Sequence, residues 1–281
     1  MNLAQVVVRP VASSEEAKFQ GLMQQYHYLG SLPKISNTIW YIATCSDEWL
    51  ALLSFSAAAL KCGARDRWIG WGHRLQYDRL HLVANNSRFL ILDNCHYKNL
   101  ATKILSFCSR RIQGDWQERF GFPLLMMETF VDPSRFVGTI YHAANWKLVG
   151  KTQGYQRIRN GYSNERQNSK LVFVQPLQRN ARLVLAGSSL PQHYVTGAPR
   201  MKLTAEQMRS LPDFFKNIND PRRAQGKRHS VHVVLAIAAG AVLCGMRGYK
   251  AISDWAQALS PTARARFGCY FSHRKNSVPS E

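Results

Sequence analysis

Residues 128–146 read ETFVDPSRFVGTIYHAANW and form the densest set of polar groups within otherwise apolar sequence. The residues just before them, LLMM at 124–127, extend this stretch into a pattern typical of a buried strand. Side chains alternate along a strand, so Glu128 and Asp132 share one face, about 13 Å apart at ~3.3 Å per residue. One metal ion cannot bridge that distance unless the chain turns at Pro133, so these two carboxylates alone predict no metal site.

The residues after Pro133 complete a candidate catalytic site. A turn there can fold the second half back beside the strand, which would bring Glu128, Tyr141 and Asn145 together with Asp132 at the rim. In that arrangement Tyr141 would be a general acid and Glu128 a general base. The structural alternatives are a buried ion pair between Glu128 and an arginine, and ordinary packing and capping for Tyr141 and Asn145.

Further from this stretch, apolar periodicity predicts an α+β domain. Ser13 and Glu16 have the spacing of a capping box, which predicts a helix from there to Tyr28. The other predicted elements are a hairpin of strands at 38–44 and 50–57, strands at 88–92, 124–131 and 171–174, and a helix over 99–113.

The composition divides the chain into two parts. Gly, Ser and Pro cluster at 186–203, which predicts a linker between a domain at 1–185 and a small all-α module at 204–281. In that module the pattern favours helices over 204–217, 230–246 and 248–259. The longest apolar run, Val231 to Met246, is shorter than a membrane span and predicts a buried helix.

A strongly basic composition indicates a polyanionic partner. The 281 residues contain 37 Lys and Arg against 17 Asp and Glu, a net charge of +20, and such an excess points first to nucleic acid. Between Lys147 and Arg182 eight basic residues accompany one acid, Glu165. The predicted DNA contacts are Lys147, Lys151, Arg157, Arg159 and Arg166 in the first domain, and Arg222, Arg223, Lys227 and Arg228 in the second.

Two segments combine aromatic and polar or basic residues. Trp68, Trp71 and His73 alternate with Arg65, Arg67 and Arg74, a pattern typical either of a stacking platform for unpaired bases or of a loop with a buried tryptophan. The segment Tyr26–Gly30 ends the first predicted helix and could line a groove or simply pack the helix end.

Other features of the sequence argue against a zinc site, a secreted protein and a membrane partner. The six cysteines form no CxxC pair and no Cys/His cluster, so no zinc site is expected. The N-terminal sequence does not resemble a signal peptide. We expect a cytoplasmic protein without a membrane partner.

The motif ETFVD…GT.Y.AANW, followed by VGKTQG and preceded by NNSRFLIL and NLATKILS, resembles the Druantia anti-phage protein A family over residues 5–180. The resemblance implies a DNA-directed role in phage defence or beside mobile elements. The family's Gly-Thr-Cys-Tyr-Arg is replaced here by Gly138–His142, so a thiol is not required at that place. Its Gly-Arg-Gly-Arg is replaced by Gly154–Arg157, which weakens any requirement for a fixed arginine pair.

The order of predicted elements is also similar to the acetyltransferase fold, in which amides at the start of the long helix bind the coenzyme A pyrophosphate. That contact requires a glycine-rich turn, whereas residues 95–101, CHYKNLA, contain no glycine. The cofactor therefore stays open: the turn speaks against coenzyme A, and Mg²⁺ is a candidate only if the domain is a nuclease.

Residues 205–265 resemble the N-terminal associated domain of DDE-type insertion-sequence transposases. The matching features are Asp220–Arg223, the cluster Lys227–His229 and the apolar helix that follows. The stretch after Gly268 departs from that family. No DDE catalytic core is present in the sequence, so transposition by DDE chemistry is not expected from this chain.

Three functions remain open at this point. The first is a DNA-binding protein of an anti-phage or mobile-element system, with chemistry on nucleic acid undecided and other defence or transposon proteins as further partners. The second is an acyl- or aminotransferase of acetyltransferase-like fold that modifies a base or a small molecule. The third is an inert fusion produced by a transposon insertion.

Overall fold

A computed structural model describes residues 2–34, 36–158, 161–166, 168–195, 203–222, 229–246, 248–269, 271–272 and 275–276. The chain divides into two compact units. The first consists of Met1–Trp71 and Asp78–Thr196, and the second of Gly72–Tyr77 and Gly197–Glu281. Within the segment predicted as a linker, Tyr194 is buried and its hydroxyl lies 2.9 Å from the Gln178 amide nitrogen, so this part belongs to the first unit.

A mixed seven-stranded sheet forms the centre of the first unit. Its spatial order is β1-β2-β3-β4-β5-β9-β6, with a separate hairpin of β7 and β8. The bounds are β1 Val7–Pro10, β2 Thr38–Cys45, β3 Glu48–Ala57, β4 Val83–Ile91, β5 Met126–Val131, β6 Lys147–Lys151, β7 Tyr155–Ile158, β8 Gly161–Arg166 and β9 Leu171–Pro176. This confirms the predicted α+β sheet with flanking helices. The edge strands β1 and β6 were not predicted.

Strands β4 and β5 are parallel, whereas the other paired neighbours are antiparallel. Their backbones pair over three residues only, Val83–Asn85 with Met126–Glu128, although β4 continues to Ile91. Just past the last pair, the Thr129 hydroxyl donates to the Asn86 carbonyl at 3.0 Å. A side chain thus replaces the backbone ladder where the two strands separate.

The predicted hairpin and first helix are both present, but the helix bounds and its capping residue differ from the prediction. Strands β2 and β3 pair across Ser46 and Asp47, which both have positive φ as a tight hairpin turn requires. Helix α1 covers Glu16–Tyr26 after a 3-10 turn at Ser13–Glu15. The capping acid is Glu15, which accepts from the Ala12 amide at 2.9 Å, and not the predicted Glu16.

The long helix α4 extends over Leu100–Phe120, well past the predicted end at 113, and stops at Gly121 in the left-handed conformation. It buries Ile104, Cys108, Ile112 and Trp116 in the core. The shorter helices of this unit are α2 Gly63–Ile69, α5 Thr139–Ala143 and α6 Ala181–Ala186. Helix α3, His73–Arg79, belongs to the second unit up to Tyr77 and to the first from Asp78.

The second unit has a helical core. Its helices are α7 Ala205–Ser210, α8 Val231–Leu243, α9 Tyr249–Ala258 and α10 Pro261–Arg266. Helix α8 is the predicted buried helix, and its Ile237 packs with Trp255 and Phe267. The unit is not purely helical, because Phe271–Ser272 pairs with Lys275–Asn276 as two short strands. In the described ranges, no helix combines the length and the apolarity that a membrane crossing needs.

Candidate functional site

A buried polar network lies where β4 and β5 separate. The Tyr141 hydroxyl, from α5, donates to the Asn86 side-chain oxygen at 2.9 Å and lies 3.5 Å from the Thr129 hydroxyl. The Asn86 amide in turn donates to the carbonyls of Ser54 and Arg88, at 3.2 and 3.1 Å. Burial raises the pKa of Tyr141 to about 12, so the phenol is protonated at neutral pH.

Aromatic contacts fix the position of Tyr141. Its ring stacks on Phe173 of β9 with centroids 5.5 Å apart and meets Trp146 edge-on at 5.2 Å. Gly138 precedes α5 with φ +79°, and a Cβ there would lie 2.6 Å from the Phe173 ring. Only glycine fits this turn, because the close approach and the left-handed backbone both exclude a side chain.

Glu128 belongs to a different buried cluster. Its two carboxylate oxygens accept from one Arg65 guanidinium nitrogen at 3.1 and 2.9 Å, and the Ala59 amide donates to it at 3.0 Å. Both side chains are fully buried. Arg65 also donates to Asp66 at 2.9 Å and to the Ala59 carbonyl at 2.8 Å. Burial raises the pKa of Glu128, and the Arg65 charge opposes that shift.

The structure therefore does not bring the predicted catalytic residues into one site. Thr129 contacts Tyr141, and its neighbour Glu128 points to the opposite face of the sheet because side chains alternate along β5. The buried ion pair, which was the structural alternative for Glu128, is the arrangement present. Its partner Arg65 was not predicted, since 63 residues separate the two and no local pattern links them.

Asp132 and Asn145 also lie apart from both clusters. Asp132 accepts from the backbone amide and the hydroxyl of Ser134, at 3.0 and 2.7 Å, and these bonds lower its pKa. Asn145 is exposed with φ +63° and lines a groove instead.

That groove encloses about 360 Å³ between α4, the end of α5 and β9. Its lining consists of Thr102, Ser106, Ser109, Arg110, Ala143, Ala144, Asn145, Gln175, Pro176 and Leu177. The polar groups are hydroxyls, amides and one guanidinium, and no carboxylate is among the lining residues. Inside it, the Ser109 hydroxyl donates to the Gln175 side-chain oxygen at 2.8 Å. The lining carries no negative charge to repel phosphate oxygens, and the Arg110 guanidinium supplies a positive one.

Two of the five predicted basic contacts of the first unit lie at one edge of the central sheet. Lys147 and Lys151 lie on β6, the edge strand beyond β9, and both are exposed. Arg157 and Arg166 lie on β7 and β8, for which only the backbone is described. Arg159 lies outside the described residues.

Of the basic residues predicted in the second unit, Arg222 alone is described. It pairs with Asp220 through two hydrogen bonds of 2.9 Å and donates to the His229 carbonyl at 2.8 Å. These bonds close a turn, so Arg222 has a structural partner already. Arg223, Lys227 and Arg228 lie outside the described residues.

The tryptophan segment is not an open stacking platform. Trp71 is buried and its indole donates to Asp66 at 2.8 Å, Arg65 pairs with Glu128, and the Arg182 guanidinium lies over the Trp68 ring at 5.4 Å. These side chains pack α2. Within the described part of the chain, no group of three or more His, Cys, Asp and Glu residues is arranged to hold a metal ion.

The fold and this geometry define a basic α+β protein whose central sheet separates between β4 and β5. Residues 2–168 match the family described as Druantia protein DruA, and the chain belongs to that family. Residues 212–281 match the family described as DDE_Tnp_1-associated, so the predicted fusion of the two is present. No curated protein matches the chain in sequence.

Solved structures similar to the chain include several acetyltransferases. The spermidine/spermine N-acetyltransferase SpeG from Vibrio cholerae is 9% identical over 62% of this chain and 94% of its own, with a TM-score of 0.39. The aminoglycoside acetyltransferase AAC(6′)-Ib, solved in complex with coenzyme A, is 15% identical over 63% of this chain and 96% of its own, with a TM-score of 0.42. The ribosomal-protein-S18-alanine N-acetyltransferase from Escherichia coli is 9% identical over 66% of this chain and 99% of its own, with a TM-score of 0.40. At these values the likeness implies neither acetyl transfer nor coenzyme A binding by this chain.

Proposed function

We propose that this chain is a DNA-binding protein of an anti-phage defence or mobile-element system, and that its first unit contacts the phosphate backbone along β6. The observation that carries the proposal is the pair of exposed lysines, Lys147 and Lys151, on an edge strand. Neither makes an ion pair within the described residues. Two uncompensated cations, in a chain of net charge +20, favour association with a polyanion.

The groove supports the same interpretation because it adjoins this strand. Asn145 precedes Lys147 by two residues, and Lys147 pairs with Val174, the neighbour of Gln175. A phosphate backbone that follows β6 would therefore meet the hydroxyl and amide donors of the groove and Arg110 at its side. Contacts of this kind position DNA without reading its sequence.

The salt dependence of duplex binding tests the proposal. If Lys147, Lys151, Arg157, Arg159 and Arg166 all contact phosphates, log K against log salt should have a slope of about −4.5. Replacing Lys147 and Lys151 by alanine should make the slope less negative by about 1.8. The matched control replaces Lys18 and Arg119, two exposed cations elsewhere in this unit, and should leave the slope within about 0.5 of the wild-type value. A flat salt dependence of the wild-type protein would refute the proposal.

A transferase reaction is the second candidate, and the observation in its favour is Tyr141. At the separation of β4 and β5 this phenol is protonated at neutral pH and so carries a proton for a leaving group, although its raised pKa makes it a weaker acid than an ordinary tyrosine. Glu128 is not available as its base, because Arg65 holds it on the other face. Coenzyme A binding measured by calorimetry tests this candidate, and the absence of binding would exclude coenzyme A as its acyl donor.

A further inference from the structure

The surface at the end of α1 carries an aromatic patch that the described contacts of the protein do not cover. We define it as Tyr28, Leu29, Arg135, Phe136 and Val137. The exposed fractions of its four apolar or aromatic members are 39% for Tyr28, 45% for Leu29, 52% for Phe136 and 75% for Val137. Isolated exposed apolar residues are normal on a protein surface, but a cluster with two aromatic rings indicates a binding surface.

Tyr28 contacts both Arg135 and Phe136, although more than 100 residues separate it from them in sequence. The Tyr28 and Phe136 ring centroids are 5.6 Å apart at an interplanar angle of 57°. The Arg135 guanidinium lies 5.0 Å from the Tyr28 centroid. On its other side Tyr28 stacks on His27, with centroids 4.9 Å apart.

Hydrogen bonds hold the patch in place before any ligand binds. Arg88 of β4 donates to the Gly30 carbonyl at 3.0 Å and so ties the segment after Tyr28 to the sheet. On the other segment, the Phe136 amide donates to the Asp132 carbonyl at 2.9 Å and closes a turn. These bonds fix the backbone of the two segments, so less conformational entropy is lost there on binding, which favours affinity.

The charges around the patch favour an anionic ligand. Burial and the charge of Arg88 lower the pKa of His27 to about 4, so its imidazole is neutral at pH 7. Three charged side chains act on Tyr28. Arg135 and Arg88 are positive and Asp132 is negative, so the positive charge is in excess. Aromatic faces beside guanidinium groups are what single-stranded nucleic acid requires, since bases stack on the rings and phosphates pair with arginine.

We propose that the aromatic patch binds an unpaired nucleobase, with the exposed Phe136 ring as the stacking surface, Tyr28 as the ring that supports it, and Arg135 beside the adjoining phosphate. This inference rests on the proposed function and names the form of nucleic acid that this surface selects. In a duplex both faces of each base are covered by neighbouring bases. Only an unpaired or unstacked base can place its face against the Phe136 ring.

The test compares the full chain with its Phe136→Ala variant on three probes by fluorescence anisotropy, at the same series of salt concentrations for each probe. The probes are a single-stranded oligonucleotide, the same oligonucleotide with abasic positions, and a duplex. Phe136→Ala should weaken binding of the intact single strand by about five- to a hundredfold. It should leave duplex binding within twofold, because the phosphate contacts are unchanged. The wild-type protein should bind the abasic strand about as weakly as the variant binds the intact one.

Matched variants separate stacking from other effects. Phe136→Trp keeps a ring and should retain single-strand affinity, and Tyr97→Ala removes an exposed ring outside the patch and should change nothing. Tyr28→Ala removes the ring that Phe136 packs against and should weaken single-strand binding as well. The thermal midpoint of each variant confirms that it is folded.

This experiment distinguishes a failure of the proposed stacking site from a failure of the proposed DNA-binding function. Any of three results would overturn the stacking site. The wild-type protein could bind intact and abasic strands equally, Phe136→Ala could bind the single strand as tightly as the wild type, or Phe136→Ala could lose the same affinity for duplex and single strand. Salt-dependent duplex binding would persist in all three cases. The absence of salt-dependent binding to any probe would instead refute the proposed function itself.

Discussion

Removing one partner of the Arg65–Glu128 ion pair should destabilise the first unit strongly. Both side chains are fully buried, and the carboxylate accepts three hydrogen bonds, two from Arg65 and one from the Ala59 amide. Truncating one member of such a pair costs about 3–5 kcal/mol, because the other charge stays buried without its partner. For a unit of this size that corresponds to a drop of roughly 6–20 °C in Tm.

The two single variants should not be equivalent. Glu128→Leu leaves the Arg65 guanidinium with Asp66 at 2.9 Å and with the Ala59 carbonyl at 2.8 Å, so we expect the lower end of that range. Arg65→Met leaves the Glu128 carboxylate with the Ala59 amide as its remaining donor and should reach the upper end. The double variant places apolar side chains of similar volume in the cluster and should be more stable than the sum of the two losses implies.

Scanning calorimetry of the full chain measures these differences. The double-mutant cycle gives the coupling between the two residues, which we expect to be at least ~2 kcal/mol for a buried charged pair. Shifts in Tm below about 3 °C for both single variants, or losses that simply add, would show that the pair does not stabilise this unit.

Three other perturbations follow from the same geometry. Tyr141→Phe should cost ~1–3 kcal/mol in urea denaturation because the buried Asn86 oxygen loses its donor, and an unchanged stability with lost activity would assign Tyr141 a chemical role instead. Gly138→Ala should cost about 2–4 kcal/mol, from overlap with Phe173 and the left-handed backbone, and a thermal midpoint within 1 °C of wild type would contradict this. The folded-state pKa of His27 lies at about 4, below its unfolded value, so the neutral imidazole stabilises the fold above about pH 6.5 and this contribution is lost as pH falls towards 4. His27→Gln should therefore flatten the pH dependence of Tm between pH 6.5 and 4, and an unchanged profile would show that another group is responsible.

Local pattern was sufficient to predict the elements whose signals are short-range. The β2–β3 hairpin, the start of α4, strand β5 and the apolar helix α8 all follow from periodicity within a single segment. The edge strands β1 and β6 were missed because an edge strand has few buried positions and takes its register from the neighbour it pairs with. The capping residue of the first helix shifted by one position, from Glu16 to Glu15, since a one-residue difference in helix start changes which carboxylate reaches the free amides.

The sequence by itself determined the α+β class, the family and the basic character, because composition, periodicity and motif are properties of the linear chain. The tertiary structure decided which residues meet. Glu128 and Thr129 are adjacent in sequence, yet one contacts Arg65 and the other Tyr141, since neighbours on a strand face opposite sides of the sheet. Partners as distant as 63 residues come together only when the sheet and its helices pack, and no local pattern encodes that pairing.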